Sequence, residues 1–330
     1  MKPFFRAFFV SYLKIGMQTR ILILGSNGQI GTVLSKALMD KFGLDHVICS
    51  DIRVPAEKPG QFIQLDILDT EGIKSAIDQY QINTVYHLAA LLSANGEKNP
   101  ALTWRINMDG TLGVFQVCVE KSIQRIFFPS SIAVYGPTTP KLSTPQHTSF
   151  EPSTVYGISK VTGELWAQYY HKRYGLDVRS IRYPGVVGWQ SIPEGGTTDY
   201  AVEIYHAALR DRHYNCFLKK DTMLPMIYMD DVIKATLQLM DAPSENIHVR
   251  TSYNVAGMSF TPAQIYASIQ KHLPDFTINY EPDFRQQIAE SWNQSIDDSS
   301  ARNDWAWKPT YDLESMTVDM LSHLKVKLSQ

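Results

Sequence analysis

The sequence predicts an α/β fold, a parallel, doubly wound sheet with a smaller C-terminal lobe, on three observations. Short apolar runs with no polar face alternate with amphipathic stretches along the first half of the chain, which is how strands covered on both sides by helices read. A glycine-punctuated turn, Gly25-Ser26-Asn27-Gly28-Gln29-Ile30-Gly31, stands directly between the first run and the first helical stretch. The second run closes on an acid, Asp51. In such sheets ligands bind beyond the C-terminal ends of the strands.

Element by element, ILIL at 21–24 is the first strand and TVLSKALMDKF its helix. HVICSD is the second strand, FIQLDI at 62–67 the third, and NTVYHLAAL at 83–91 the fourth, with a helix following through Trp104 to Glu120. RIFFPSS at 125–131 and DVRSIRYP at 177–184 are the fifth and sixth. After Tyr183 the texture changes. PEGGTTDY is loop-like, AVEIYHAAL helical, MIYMDDVIKATLQLM a strand feeding a helix, and SYNVAG a further strand. The last two are expected to return to the first domain. From Thr261 onward, short helices and proline-punctuated turns predict a smaller lobe. The expected division is a Rossmann-type domain at 20–185 with returning segments within 223–257, and a substrate lobe from 186–222 and 258–330.

Thirty-one basic against 33 acidic residues give a net charge of -2, so no cationic footprint points to nucleic acid. No apolar run approaches the roughly 18 residues of a membrane span. Three cysteines, Cys49, Cys118 and Cys216, lie far apart without a CxxC, which argues against a disulfide framework or a metal site. Residues 1–19 differ from the rest: Lys2, Arg6 and Lys14 interleave with Phe4, Phe5, Phe8, Phe9 and Tyr12, and the first acid of the chain is Asp40. A basic, acid-free amphipathic leader fits mitochondrial targeting. An untargeted tail, with Met17 as the working start and a cytoplasmic protein, is the alternative.

Glycines 25, 28 and 31, with Gln29 and Ile30 between the last two, allow a tight turn and bring backbone N–H groups to a pyrophosphate at a helix N-terminus. Spaced GxxGxxG, the motif alone is weak; its place between strand and helix strengthens it. Asp51 is positioned for the adenosine ribose hydroxyls and repels a 2′-phosphate, which selects NAD over NADP, although Arg53 stands two residues on. Asp66 and Ile67 are read as lining the adenine, or as an ordinary strand end.

Tyr156 and Lys160 stand at i and i+4 on a helix and share one face. A phenol titrates near 10. A cation about 4 Å away contributes roughly 4 kcal/mol at an effective dielectric of 20, or up to about three pKa units, so such a pair can supply a base near neutral pH. By itself it is more often an ordinary exposed pair. Ser130 and Ser131, ending the fifth strand, add a hydroxyl for the reacting oxygen.

Together, GxxGxxG, SSIAVYG at 130–136 and YGISK at 156–160 resemble the extended short-chain dehydrogenase/reductase family, which includes nucleotide-sugar epimerases. The resemblance runs from Arg20 to about Lys308. It implies Tyr156 as general base, Lys160 as its partner and nicotinamide-ribose ligand, and Ser131 as the substrate hydroxyl's partner. It further implies that Asn107, in RINMDGT, holds Lys160 through water; a polar residue of N-cap type is the alternative there. Leu88, Ala89 and Ala90 are implied to line the cofactor, and Tyr183 to flank the nicotinamide. Longer strings, among them HLAALLSANGEKNP, GTTDYAVEIYHAAL and SYNVAGMSFTP, resemble the branch of that family that oxidises the side-chain hydroxyl of L-threonine with NAD, without a metal. Ser131 stands where many relatives have threonine. A bound zwitterion needs an acceptor for its ammonium and donors for its carboxylate. Asp199, Thr197 and Ser93 are the candidates, with helix capping as the alternative for Asp199. The resemblance also implies a homodimer through the helices after Asn107 and around Tyr156.

Overall fold

Strands and helices alternate through the first half of the chain: β1 (Ile21–Leu24), α1 (Gln29–Phe42), β2 (Val47–Asp51), β3 (Gln61–Gln64), α2 (Thr70–Tyr80), β4 (Thr84–His87), α3 (Pro100–Trp104), α4 (Gly110–Glu120), β5 (Arg125–Ser131), α5 (Val155–Tyr174) and β6 (Asp177–Tyr183). Beyond β6 come β7 (Gly185–Val187), α6 (Tyr200–Arg210), β8 (His213–Cys216), β9 (Leu224–Tyr228), α7 (Met229–Asp241) and β10 (Tyr253–Asn254). The chain closes with β11 (Met258–Phe260), α8 (Pro262–Gln270), β12 (Thr277–Tyr280), α9 (Arg285–Ser291), α10 (Ser299–Trp305) and α11 (Leu313–Leu328). The computed structural model describes residues 18–92, 96–190, 192 and 196–329. Ser93 and all but the last two residues of the 1–19 leader lie outside the described residues.

Seven parallel strands form the central sheet in the order β10-β6-β5-β4-β1-β2-β3. Its two faces are read off β1 alone. Ile21 and Ile23 enter one core with Leu34 and Leu38 of α1 and Val232 of α7. Leu22 and Leu24 enter the other, with Ile73 of α2, Phe115 of α4 and Ala167 of α5. Every side chain of β1 is buried, so the run is apolar throughout, and each such side chain contributes roughly 1.5–3 kcal/mol. This is the doubly wound α/β sheet that the alternation predicts. The direction of winding reverses between β1 and β4, so the exits of β1, β2 and β4 meet at the edge where such sheets bind ligands.

Some expected elements differ. β3 ends at Gln64, and Asp66 and Ile67 form the turn that follows: the Asp66 carboxylate accepts from Leu68 N at 2.9 Å. A local turn closed by an aspartate side chain competes with the ladder and ends it early. Of the segment expected to return, α7 packs on the central sheet and β10 pairs with β6, but β9 pairs with β7 and β11 in a separate three-stranded sheet. β8 and β12 form a third, two-stranded sheet. α6, α8 and α11 enclose a core of their own with Leu218, Phe260 and Phe276. Among the described residues no helix is long and apolar enough to cross a membrane.

Candidate active site

The turn after β1 is built to be approached closely. Gly25 has φ +88°, and a Cβ on it would lie 2.6 Å from Ala89 N, so a side chain is excluded both by conformation and by the exit of β4. Gly25 N and Ser26 N donate to Ser50 O at 2.8 and 2.9 Å, tying the turn to β2. Gly31 packs its bare Cα against the Gly25 carbonyl. At Gly28 the protein makes no such demand: φ is -72° and a Cβ would meet only Gly25 O, at 3.5 Å. The missing side chain keeps the outer surface of the turn clear at the N-terminus of α1, where the amides of Gln29 and Ile30 begin the helix. Such a turn can receive a phosphate. Asp51 faces the same turn. Its carboxylate accepts from Asn27 N at 3.2 Å and Arg53 N at 3.1 Å, and a carboxylate has further lone pairs for a ribose diol. Leu88, Ala89 and Ala90 leave the sheet beside Gly25, and Leu88 N donates to Leu24 O at 2.8 Å. Ile67 packs against Gly110 on the far side of that edge. These residues fit a dinucleotide.

Tyr156 lies in the first turn of α5, whose N-terminus is capped by Thr154, its hydroxyl accepting from Gly157 N at 3.0 Å. Gly157 lets this helix touch the turn after β5: a Cβ there would sit 2.3 Å from Ala133 O. The contact brings the Ser131 hydroxyl within hydrogen-bonding reach of the Tyr156 phenol. Ser131 also accepts from Ala133 N at 3.2 Å, whereas Ser130 turns inward and donates to Glu164 Oε1 at 2.5 Å. Lys160 is buried one turn on, its Nζ 5.4 Å from the centre of the Tyr156 ring and 4.8 Å from that of Phe128, donating to Pro129 O at 2.8 Å.

The electrostatics depart from the simple expectation of an acidified phenol. Burial pushes the Tyr156 hydroxyl up to about 12, with Ser131 pulling it down. Burial also lowers the Lys160 ammonium to about 8, with Glu164 pulling the other way. Desolvation is the largest influence on both groups and disfavours the charged form of each. The positive end of α5 favours an anion at its first turn.

Asn107 is not a cap. It sits in a π-helical turn, Arg105–Asp109, between α3 and α4, and such a bulge turns its amide inward. There it receives Leu91 N at 2.8 Å, donates to Leu91 O at 3.0 Å, and reaches Ser159 Oγ at 3.3 Å. Its direct contacts thus hold the exit of β4 and the neighbour of Lys160. Tyr183 is corrected as well: its phenol bonds the Thr236 hydroxyl and its ring packs near Phe127. The side chain belongs to the core. Asp199 makes no side-chain cap to α6; its carboxylate accepts from Gly196 N at 2.8 Å. Helical backbone at Asp199, φ -68° and ψ -17°, denies it the extended conformation that capping uses. Thr197 is buried beside it, and Thr198 packs on Gly185, just past β6. The Tyr156 ring packs against the cluster that contains Val187 and Tyr200.

Sequence reasoning missed the ion pair beneath the site. Arg182 of β6 makes two bonds to Glu164, at 2.9 and 2.7 Å, with both side chains buried, and bonds Gln146 O and Asn254 Oδ1 at 3.0 Å each. Glu164 stands four residues after Lys160 on the same helical face. That spacing was the available signal.

A family model described as the NAD dependent epimerase/dehydratase family matches residues 21–256. The curated "L-threonine 3-dehydrogenase, mitochondrial" of Bos taurus is 45% identical over 309 residues, 92% of this chain and 82% of that protein. The solved "GalE-like L-Threonine dehydrogenase from Cupriavidus necator (holo form)" is 50% identical with a TM-score of 0.91, covering 92% of this chain and 99% of its own. A "Monomeric L-threonine 3-dehydrogenase from metagenome database (apo form)" is 46% identical with a TM-score of 0.90, covering 94% of this chain and all of its own.

Proposed function

The chain belongs to the NAD dependent epimerase/dehydratase family, and on that premise we propose that it is an L-threonine 3-dehydrogenase, oxidising the side-chain hydroxyl to give L-2-amino-3-oxobutanoate. One observation carries the reading at the site: Tyr156, Lys160 and Ser131 converge at the C-terminal edge of the sheet, one strand over from the β4 exit that packs on the glycine turn. Likeness along nearly the whole chain to proteins named for that activity selects the substrate. NAD, when bound, supplies the hydride acceptor and a cationic ring beside the site. Gly25, Gly28 and Gly31 with the first amides of α1 would hold its pyrophosphate, and Asp51 its adenosine ribose. Ser131 donates to or accepts from the substrate hydroxyl and fixes its direction. Tyr156, as the phenolate that Lys160 stabilises, takes the hydroxyl proton and becomes neutral as the β-carbon gives up hydride. Asp199 receives the substrate ammonium, with Thr197 and Ser93 as further polar contacts. The lobe formed by 186–222 and 258–330 closes over the substrate.

Purified protein given NAD and L-threonine is expected to form NADH, and to convert no UDP-sugar. Conversion of a sugar without net reduction would instead make it an epimerase.

We also propose that the chain pairs with a second copy through α5, where Ile158, Leu165 and Tyr169 are exposed along one face. Light scattering that gives one chain per particle refutes this. The 1–19 leader is proposed to direct the protein to mitochondria, a reading supported by the Bos taurus relative being named as mitochondrial. Fused to a reporter, it should carry that reporter into the organelle; diffuse signal would contradict it.

A further inference from the structure

His87, the last residue of β4, is buried, and its Nε2 lies 2.9 Å from the Thr111 hydroxyl. That hydroxyl has one proton and gives it to Asn107 O at 2.6 Å. Toward His87 it can only accept. A neutral imidazole carries a single N–H, so the proton is on Nε2 and Nδ1 presents a bare lone pair. Burial, then Lys160, lowers the ring to about 3, so it stays neutral at physiological pH. Nδ1 is enclosed and has no partner among the described residues, and a buried acceptor without a donor is costly. The cation acting on this ring is Lys160. Both flank Phe128, His87 with its ring centre 6.0 Å away and Lys160 with its Nζ 4.8 Å away. One ammonium proton goes to Pro129 O, which leaves two.

We propose that His87 Nδ1 is a fixed acceptor for the Lys160 ammonium through one buried water, making His87 a positioning residue whose tautomer is enforced by Thr111. This role presupposes that Tyr156 and Lys160 form the acid–base pair proposed above. The acceptor favours the charged ammonium and so helps it hold the phenolate. Glu164 is the other charged group acting on Lys160; Thr111 and Asn107, packed against His87, are uncharged.

Two substitutions separate the nitrogens. His87→Asn keeps an acceptor near the position of Nδ1 but loses the ε donor, and His87→Gln does the reverse. In the Gln variant, Lys160 should titrate lower by about half a pH unit or more, read from its side-chain carbon resonance. The acid limb of kcat/KM for L-threonine should move up by a similar amount. The Asn variant should stay near the parent in both. Nitrogen-15 spectra of the parent should show Nε2–H and an Nδ1 accepting a hydrogen bond. Protonated Nδ1, a free Nδ1 lone pair, or Lys160 titrating alike in the Gln variant and the parent would overturn the proposal. Should the Gln variant fail to fold, the parent spectrum decides alone. If the parent forms no NADH from threonine, the functional reading fails, while the spectra still decide the role of His87.

Discussion

At the Tyr156 hydroxyl two effects oppose each other, and in the proposed reaction their balance would set the pH dependence. Burial holds the phenol at about 12, while the N-terminus of α5, the Lys160 ammonium and the charge of bound NAD all favour its ionised form. The free base is therefore the scarcer species at neutral pH, and turnover should rise with pH from about 7 toward 9. A stopped assay across buffers would check this; a rate that falls over that range contradicts it. Ser131 acts on the same oxygen from the other side. Ser131→Ala should lower kcat by about 10- to 100-fold with little change in the KM for NAD, whereas Ser131→Thr should stay within a few-fold. Tyr156 and Lys160 were legible because helical periodicity alone places i and i+4 together. The side-chain directions of Tyr183 and Asp199 were not, since at a strand end or in a turn they depend on what packs above. For Tyr183 that is Thr236, 53 residues away in the chain.

Among the elements, the contact between α5 and the turn after β5 does the most to assemble the site. It depends on Gly157, whose added Cβ would meet the Ala133 carbonyl at 2.3 Å. Both partners are backbone, so neither side gives way cheaply. Gly157→Ala should cost about 1–3 kcal/mol, lowering Tm by several degrees, and should reduce kcat further than the stability loss accounts for, because Tyr156 is carried away from Ser131. Thermal melting and kinetics on the same preparation test both halves; an unchanged kcat would mean that the contact does not position Tyr156. The strands of the central sheet were readable from apolar runs, and the glycine turn from its position. The π-helical turn at Arg105–Asp109 was not. An extra residue in a helix leaves the composition unchanged, and only the paired bonds of Asn107 to Leu91 reveal why the bulge is there.

Across the whole molecule, charge pairs tie the sheet to the later segments. Asp177, at the start of β6, accepts from Arg125, Arg179 and Arg250 and from the Ser244 hydroxyl. Desolvation opposes its charge, yet the Arg179 and Ser244 bonds hold its carboxyl well below the usual carboxylate range. A depressed folded-state value contributes stability that is complete above the unfolded value, near 3.9, and is lost as pH falls below it. Asp177→Asn should therefore be less stable than the parent at neutral pH, with the gap narrowing as pH falls below about 4; urea unfolding at several pH values would show it, and a gap independent of pH would not fit. This network was not visible in the sequence, because Arg125, Ser244 and Arg250 lie 52, 67 and 73 residues from Asp177 and nothing local marks them as its partners. The proposed chemistry hangs on a single phenol oxygen. With L-threonine and NAD supplied, Tyr156→Phe should bind the cofactor within a few-fold of the parent and lose about 10²- to 10⁴-fold in kcat. A variant that forms NADH at the parental rate would contradict the assignment.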